Sequence, residues 1–142
     1  MIDELYEKDY NLWLEVTKQQ LMNREFEAMD LSNLIEEIDD MGKSQKRSLD
    51  SYTQKLIEHL LKLKYWDSER ERCSYGWRRE VNNFRIAIAK ILRKNPSLNN
   101  YFLAEYQANY QDAIKAVSLD FTVPKDSFID PVQALDDDFF PG

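Results

Sequence analysis

The sequence is poor in the residues that punctuate or cross-link a chain: three Gly, four Pro, one Cys and one His stand among 142 residues. Three Gly leave no material for a phosphate-cradling Gly-rich loop, and no nucleophile elbow is present either. The lone Cys73 forms no internal disulfide, which excludes the disulfide-scaffold class and makes a reduced, cytoplasmic setting the expectation. Its neighbours in Arg70-Glu71-Arg72-Cys73 could lower a thiol pKa, but a single Cys is more often incidental. No stretch approaches the run of about 18 apolar residues that a membrane-spanning helix needs, so no membrane association is expected. The opening Met1-Ile2-Asp3-Glu4-Leu5-Tyr6 is acidic and lacks the basic start and apolar stretch of a secretory signal.

What is present is apolar and aromatic mass: the chain is 43% hydrophobic and 13% aromatic. That content excludes disorder of the whole chain, and the length fits one ordinary domain, residues 1–142. The net charge of −7 is unevenly spread. Residues 1–42 carry −9, residues 43–95 carry +8 and residues 96–142 carry −6. One reading has the outer segments packing beside the middle one and neutralising it. The other makes the middle segment a basic face for a polyanion. A pI near 4.8 is far from the basic footprint of a nucleic-acid binder, so the first reading is preferred and no nucleic-acid partner is expected.

Helical spacing recurs along the chain and strand spacing does not. Tyr6, Tyr10, Trp13, Thr17 and Leu21 form an apolar stripe at intervals of three or four, predicting a helix over 3–22. Asp30 can accept the free N–H groups of a helix starting at Leu31. The next stripe runs through Leu34, Ile38, Met41, Leu49, Tyr52, Leu56, Leu60 and Leu63 and crosses Gly42. Gly favours a helix end, whereas the kept period favours continuity. The expectation is therefore helices over 31–41 and 44–65, either broken or bent at Gly42. Asp67 to Cys73 has no stripe and reads as a loop. Trp77, Val81, Phe84, Ile88 and Leu92 predict a helix over 75–94, and Asn95-Pro96 opens another over 96–119. A short turn over 131–135 precedes an irregular tail whose two Phe fold back on the body. The fold class is all-α, a bundle of four or five helices with an irregular C-terminal tail.

The segments Tyr6-Glu7-Lys8-Asp9-Tyr10-Asn11-Leu12-Trp13-Leu14, Asp30 to Gly42, His59-Leu60-Leu61-Lys62, Ser74-Tyr75-Gly76-Trp77-Arg78, Asn95-Pro96-Ser97-Leu98 and Leu135 to Pro141 stand in one order. In that order the chain resembles the domain of unknown function 29 family over nearly its whole length. The resemblance implies a small helical protein of chiefly cyanobacterial occurrence, and it carries no catalytic residues, no cofactor and no established activity.

The chemistry must therefore be read from the residues. Glu36, Glu37 and Asp40 share helix faces and could converge on Mg²⁺, which takes oxygen ligands. This looks like half of the metal site of the all-α nucleotide pyrophosphohydrolases, but a matching Glu-x-x-Asp pair is missing: Glu58 is followed by Leu61 and Glu80 by Asn83. A solvated face is the plainer reading. His59, the only His, lies on the stripe of Leu56 and Leu63 and could join Glu36 and Glu37 in a metal-dependent hydrolase. With no second His and no Cys pair, a His satisfied inside the core is preferred, and no metal or cofactor is expected. On the basic helix 78–94, Arg78, Arg85 and Arg93 stand beside Trp77, a pattern that could grip nucleic acid or a protein. Eighteen aromatics exceed what a few helices need for a core. The reading preferred overall is an interaction module that binds a protein partner or itself, with the hydrolase and nucleic-acid readings as alternatives.

Overall fold

A computed structural model describes residues 2–142, with side chains from Glu4 onward. Every regular element among the described residues is helical: α1 (Ile2–Lys8), α2 (Tyr10–Met22), α3 (Leu31–Tyr65), α4 (Asp67–Lys94), α5 (Leu98–Val117) and α6 (Pro131–Leu135), with a short 3-10 turn at Phe26–Ala28. Among the described residues no helix is long and apolar enough to cross a membrane. The chain divides into two compact units, Met1–Ser44 and Gln45–Gly142.

Four boundaries differ from the sequence reading, each for a local reason. The helix expected over 3–22 is interrupted at Asp9, whose carboxylate accepts the Leu12 N–H at 3.0 Å and caps α2. Asp competes for backbone donors in this way, and the apolar period alone hides it. The helices expected over 31–41 and 44–65 are one element, because Gly42 keeps helical geometry and the Lys43–Asp39 pair at 2.9 Å spans it. The loop expected over 67–73 is the first two turns of α4. Asp67 and Glu69 sit where the helix dipole favours acids, and they pair with Arg70 and Arg72 three residues on. Arg70 also donates to the free carbonyls ending α3, from Nε to Leu63 at 2.7 Å and from Nη2 to Lys64 at 2.8 Å. Asn95, expected to cap α5, instead closes α4 by donating to the Ile91 carbonyl at 3.0 Å.

The second unit holds the main core. Leu49, Leu56, Ile57, Leu60 and Leu61 of α3 pack with Val81 and Ile88 of α4 and with Phe102, Tyr106, Tyr110 and Ala113 of α5. Trp66 stacks between Trp77 and Phe121, with ring centroids 5.6 and 5.3 Å away. The Tyr106 hydroxyl donates to the Ile129 carbonyl, and burial pushes its pKa up. Asp50 accepts from Tyr101 at 2.6 Å and from Asn109 at 3.0 Å, and the first of these bonds pushes the Tyr101 phenol up to about 12.

Arg85 ties the C-terminal segment to this core. Only 3% exposed, it donates from Nε to the Ala134 carbonyl at 2.8 Å and from Nη2 to the Phe139 carbonyl at 2.7 Å. Its guanidinium also lies 5.1 Å from the centre of the Phe140 ring. Burial lowers its pKa, opposed by Asp137 and Asp136. Arg85→Ala orphans two carbonyls, so urea unfolding should show a loss of about 2–4 kcal/mol, with faster amide exchange across residues 130–140. Arg85→Lys should recover only part of this, because an ammonium cannot reproduce the guanidinium fork.

Candidate functional site

The residues expected to carry chemistry fall in both units. In the first unit, Glu36 and Asp40 are exposed, while Glu37 accepts hydrogen bonds from the Tyr6 and Tyr10 hydroxyls. In the second unit, His59 is half-buried against Phe84, and its Nδ1 donates to the Lys55 carbonyl at 2.8 Å. Burial lowers the His59 pKa, which favours the neutral ring. No group of three or more His, Cys, Asp or Glu among the described residues could hold a metal ion. Cys73 is half-buried, with its thiol directed at Glu69 3.8 Å away.

The four residues expected to bind a partner divide by role. Trp77 is buried in the Trp66 stack and Arg85 holds the C-terminal segment. Arg78 is exposed but stands 4.9 Å from the centre of the Phe140 ring, and Arg93 is exposed near the end of α4. The ion pairs Lys8–Glu4, Lys43–Asp39, Arg70–Asp67 and Arg72–Glu69 each join side chains three or four positions apart on one helix, while Arg85 of the basic segment lies in the field of Asp137 and Asp136 of the C-terminal acidic segment. Arg79, Lys90 and Arg93 take part in none of them.

A different feature stands out in the first unit. Leu31, Ile35, Ile38 and Met41 at the start of α3 are 52%, 65%, 58% and 61% exposed. Gly42 follows Ile38 by four residues and lies on the same face. A methyl group built on it would meet no atom within 4 Å, so the backbone there is open to close approach. Beside this row lies an apolar groove of about 460 Å³, walled by Trp13, Leu14, Leu21, Met22, Leu34 and Met41. Two polar atoms of its lining residues, the indole N–H of Trp13 and the hydroxyl of Thr17, are buried without a partner among the described residues. The row and groove lie beside the acids Glu36, Glu37, Asp39 and Asp40 of the same helix. The expected surplus of exposed aromatics is not the basis of this face. Tyr6, Tyr10 and Trp13 pack on one another, with Tyr6 and Trp13 centroids 4.8 Å apart, and the open face is mainly aliphatic.

The sequence stripe through Leu34, Ile38 and Met41 continues into the core stripe from Leu49 and leaves out Leu31 and Ile35, so the period does not mark this face. The available signal was that Leu31 and Ile35 widen the apolar side of this helix beside that stripe. Sequence reasoning also missed Tyr6 and Tyr10 as the partners of Glu37.

The fold and this face define a small all-α protein with an open aliphatic surface flanked by acids. The chain belongs to the family described as domain of unknown function DUF29, whose model matches residues 5–140. No curated protein and no solved structure matches it.

The Tyr–Glu37–Tyr arrangement gives the face a pH window. Hydrogen bonds from Tyr10 and Tyr6 hold the Glu37 carboxyl below its ordinary pKa, and both phenols are raised by the same bonds. The lowered acid contributes fully above its unfolded value, about 4.3, and is lost as pH falls through the folded pKa. The raised phenols contribute fully below about 10 and are lost at higher pH. The Trp13 indole NMR signal should therefore hold steady between those limits and move outside them. In Glu37→Gln the acid limb should vanish, and the Tyr6 and Tyr10 titrations should return toward 10.

Proposed function

We propose that this protein is an interaction module, working in the cytoplasm, whose face on the first unit takes a basic amphipathic helix from a protein partner. The observation that carries this reading is the run Leu31, Ile35, Ile38 and Met41, an amphipathic row more than half exposed at every position. Such a row beside an apolar groove fits recognition of a helix by side chains at i, i+3, i+4 and i+7. Charge supports the choice of a basic partner. Residues 1–42 carry −9, and Glu36, Glu37, Asp39 and Asp40 interleave with the apolar row. A like-charged helix would be repelled, and a basic one is both steered and retained. The open backbone at Gly42 suits a helix that approaches closely, and polar side chains on that helix could satisfy Trp13 and Thr17. The lone Cys73 agrees with a reducing compartment.

The test is a 15N NMR titration with a Leu/Lys model helix, with a Leu/Glu helix of the same length as control. Shifts should concentrate in residues 10–42 and appear only with the basic peptide. Ile35→Asp should weaken binding about tenfold or more, the share of an Ile burial worth roughly 1.5–3 kcal/mol. Because that substitution adds negative charge, attraction by charge alone would strengthen instead, and that result would overturn the reading.

Gly42→Ala separates folding from docking. In the unliganded protein it should raise stability by about 0.5–1 kcal/mol, since a helical Gly is entropically costly and the added methyl meets nothing. In the peptide titration the same variant should bind more weakly. A gain in stability with unchanged affinity would mean that no helix approaches at Gly42.

A further inference from the structure

Helix α4 presents an outward face that the core does not use. Tyr75, Arg79, Asn82, Ile86, Lys90 and Arg93 follow one another at steps of three or four, and all are exposed. Two of them are large apolar groups left in the open, Tyr75 at 78% and Ile86 at 58% exposure. The three basic residues of the row are in no ion pair among the described residues. This face therefore has the make-up of the partner required above: a helix, basic, with apolar anchors spaced along one side. The segment that supplies it carries +8, against −9 on residues 1–42.

We propose that the helix seated on the α3 face is α4 of a second copy of this chain, so that copies associate head to tail. The inference rests on the docking reading of the preceding section and names its occupant. Tyr75 and Ile86 of one copy would lie against Leu31, Ile35 and Ile38 of the next, with Arg79, Lys90 and Arg93 near Glu36, Asp39 and Asp40. Two acidic first units would repel each other, which disfavours a symmetric pairing of like faces. Because the two surfaces are different, copies pair either reciprocally, each α3 face taking the other copy's α4 in a closed two-fold dimer, or in series as a ring or a chain. Its charge component is screened by salt, so assembly weakens as ionic strength rises.

Sedimentation velocity over a range of protein concentration tests this. At low salt the mass should rise above the 17.0 kDa of one chain with concentration, and high salt should reverse the rise. The double variant Arg79→Glu/Arg93→Glu, altered only at exposed positions, should be monomeric, and so should Ile35→Asp. Circular dichroism checks that both keep their helices. The first variant retains an intact α3 face and the second an intact α4 face. Mixed in equal amounts, they should form a complex of two chains that grows no further. A wild type that stays monomeric at every concentration in low salt, or a mixture that stays monomeric, overturns the proposal. If that monomer still takes the Leu/Lys helix, the self-association falls alone. If it takes neither, the docking reading falls with it.

Discussion

Helix α3 carries an apolar stripe along its whole length, but from Leu49 onward the chain itself provides the cover. Leu49, Leu56, Leu60 and Leu63 lie at or near zero exposure beneath α4 and α5, whereas Leu31, Ile35 and Ile38 on the same helix are more than half exposed. An uncovered row of aliphatic side chains keeps its hydration penalty, and only a partner surface removes it. The functional reading follows from that difference between the two stretches of one helix. The Tyr6–Glu37–Tyr10 bonds and the capped start of α2 matter because they set the aromatic side of the groove next to the row.

Electrostatics work at two ranges. Within helices, pairs three or four residues apart, such as Arg70 with Asp67, sustain segments that have no apolar stripe of their own. Exposed pairs of this kind contribute little to overall stability, so their role is to hold local helical geometry. Over longer range, the acidic and basic segments remain as surface charge of opposite sign. Arg85 is the exception, a basic residue turned inward to hold backbone carbonyls and sit near Asp136 and Asp137. A burial of this kind is tolerated because Nε and Nη2 are hydrogen-bonded and the nearby acids offset its charge, although Nη1 is buried without a partner among the described residues.

How far the sequence could be read depended on which interaction set each feature. Where the apolar period decided, as in the stripe of Phe102, Tyr106, Tyr110 and Ala113, the element and its buried face were both visible. Where single side chains bonded to backbone, the period misled: Asp9 split one helix, Arg70 continued another through a charged run, and Asn95 closed α4 instead of opening α5. Gly42 shows the limit of composition arguments, since its intrinsic cost is about 1 kcal/mol and favourable neighbours over 35 helical residues outweigh it. For the site, Glu36, Glu37 and His59 were conspicuous as residue types, yet Glu37 is bonded by Tyr6 and Tyr10 and His59 bonds the Lys55 carbonyl. Leu31, Ile35 and Ile38 were inconspicuous because an aliphatic residue looks the same in a sequence whether covered or bare.

The sequence by itself determined the all-α class, the helical periods, the three-part charge pattern and the family to which the chain belongs. These depend on residue type and short spacing, which local geometry converts directly into helices and faces. Tertiary structure alone decided that Trp77 and Arg85 serve the core, that Glu37 is bound by two tyrosines and that the first turns of α3 stay bare. Each of those outcomes depends on which groups distant in the chain meet, and burial is a property of the neighbours a residue acquires.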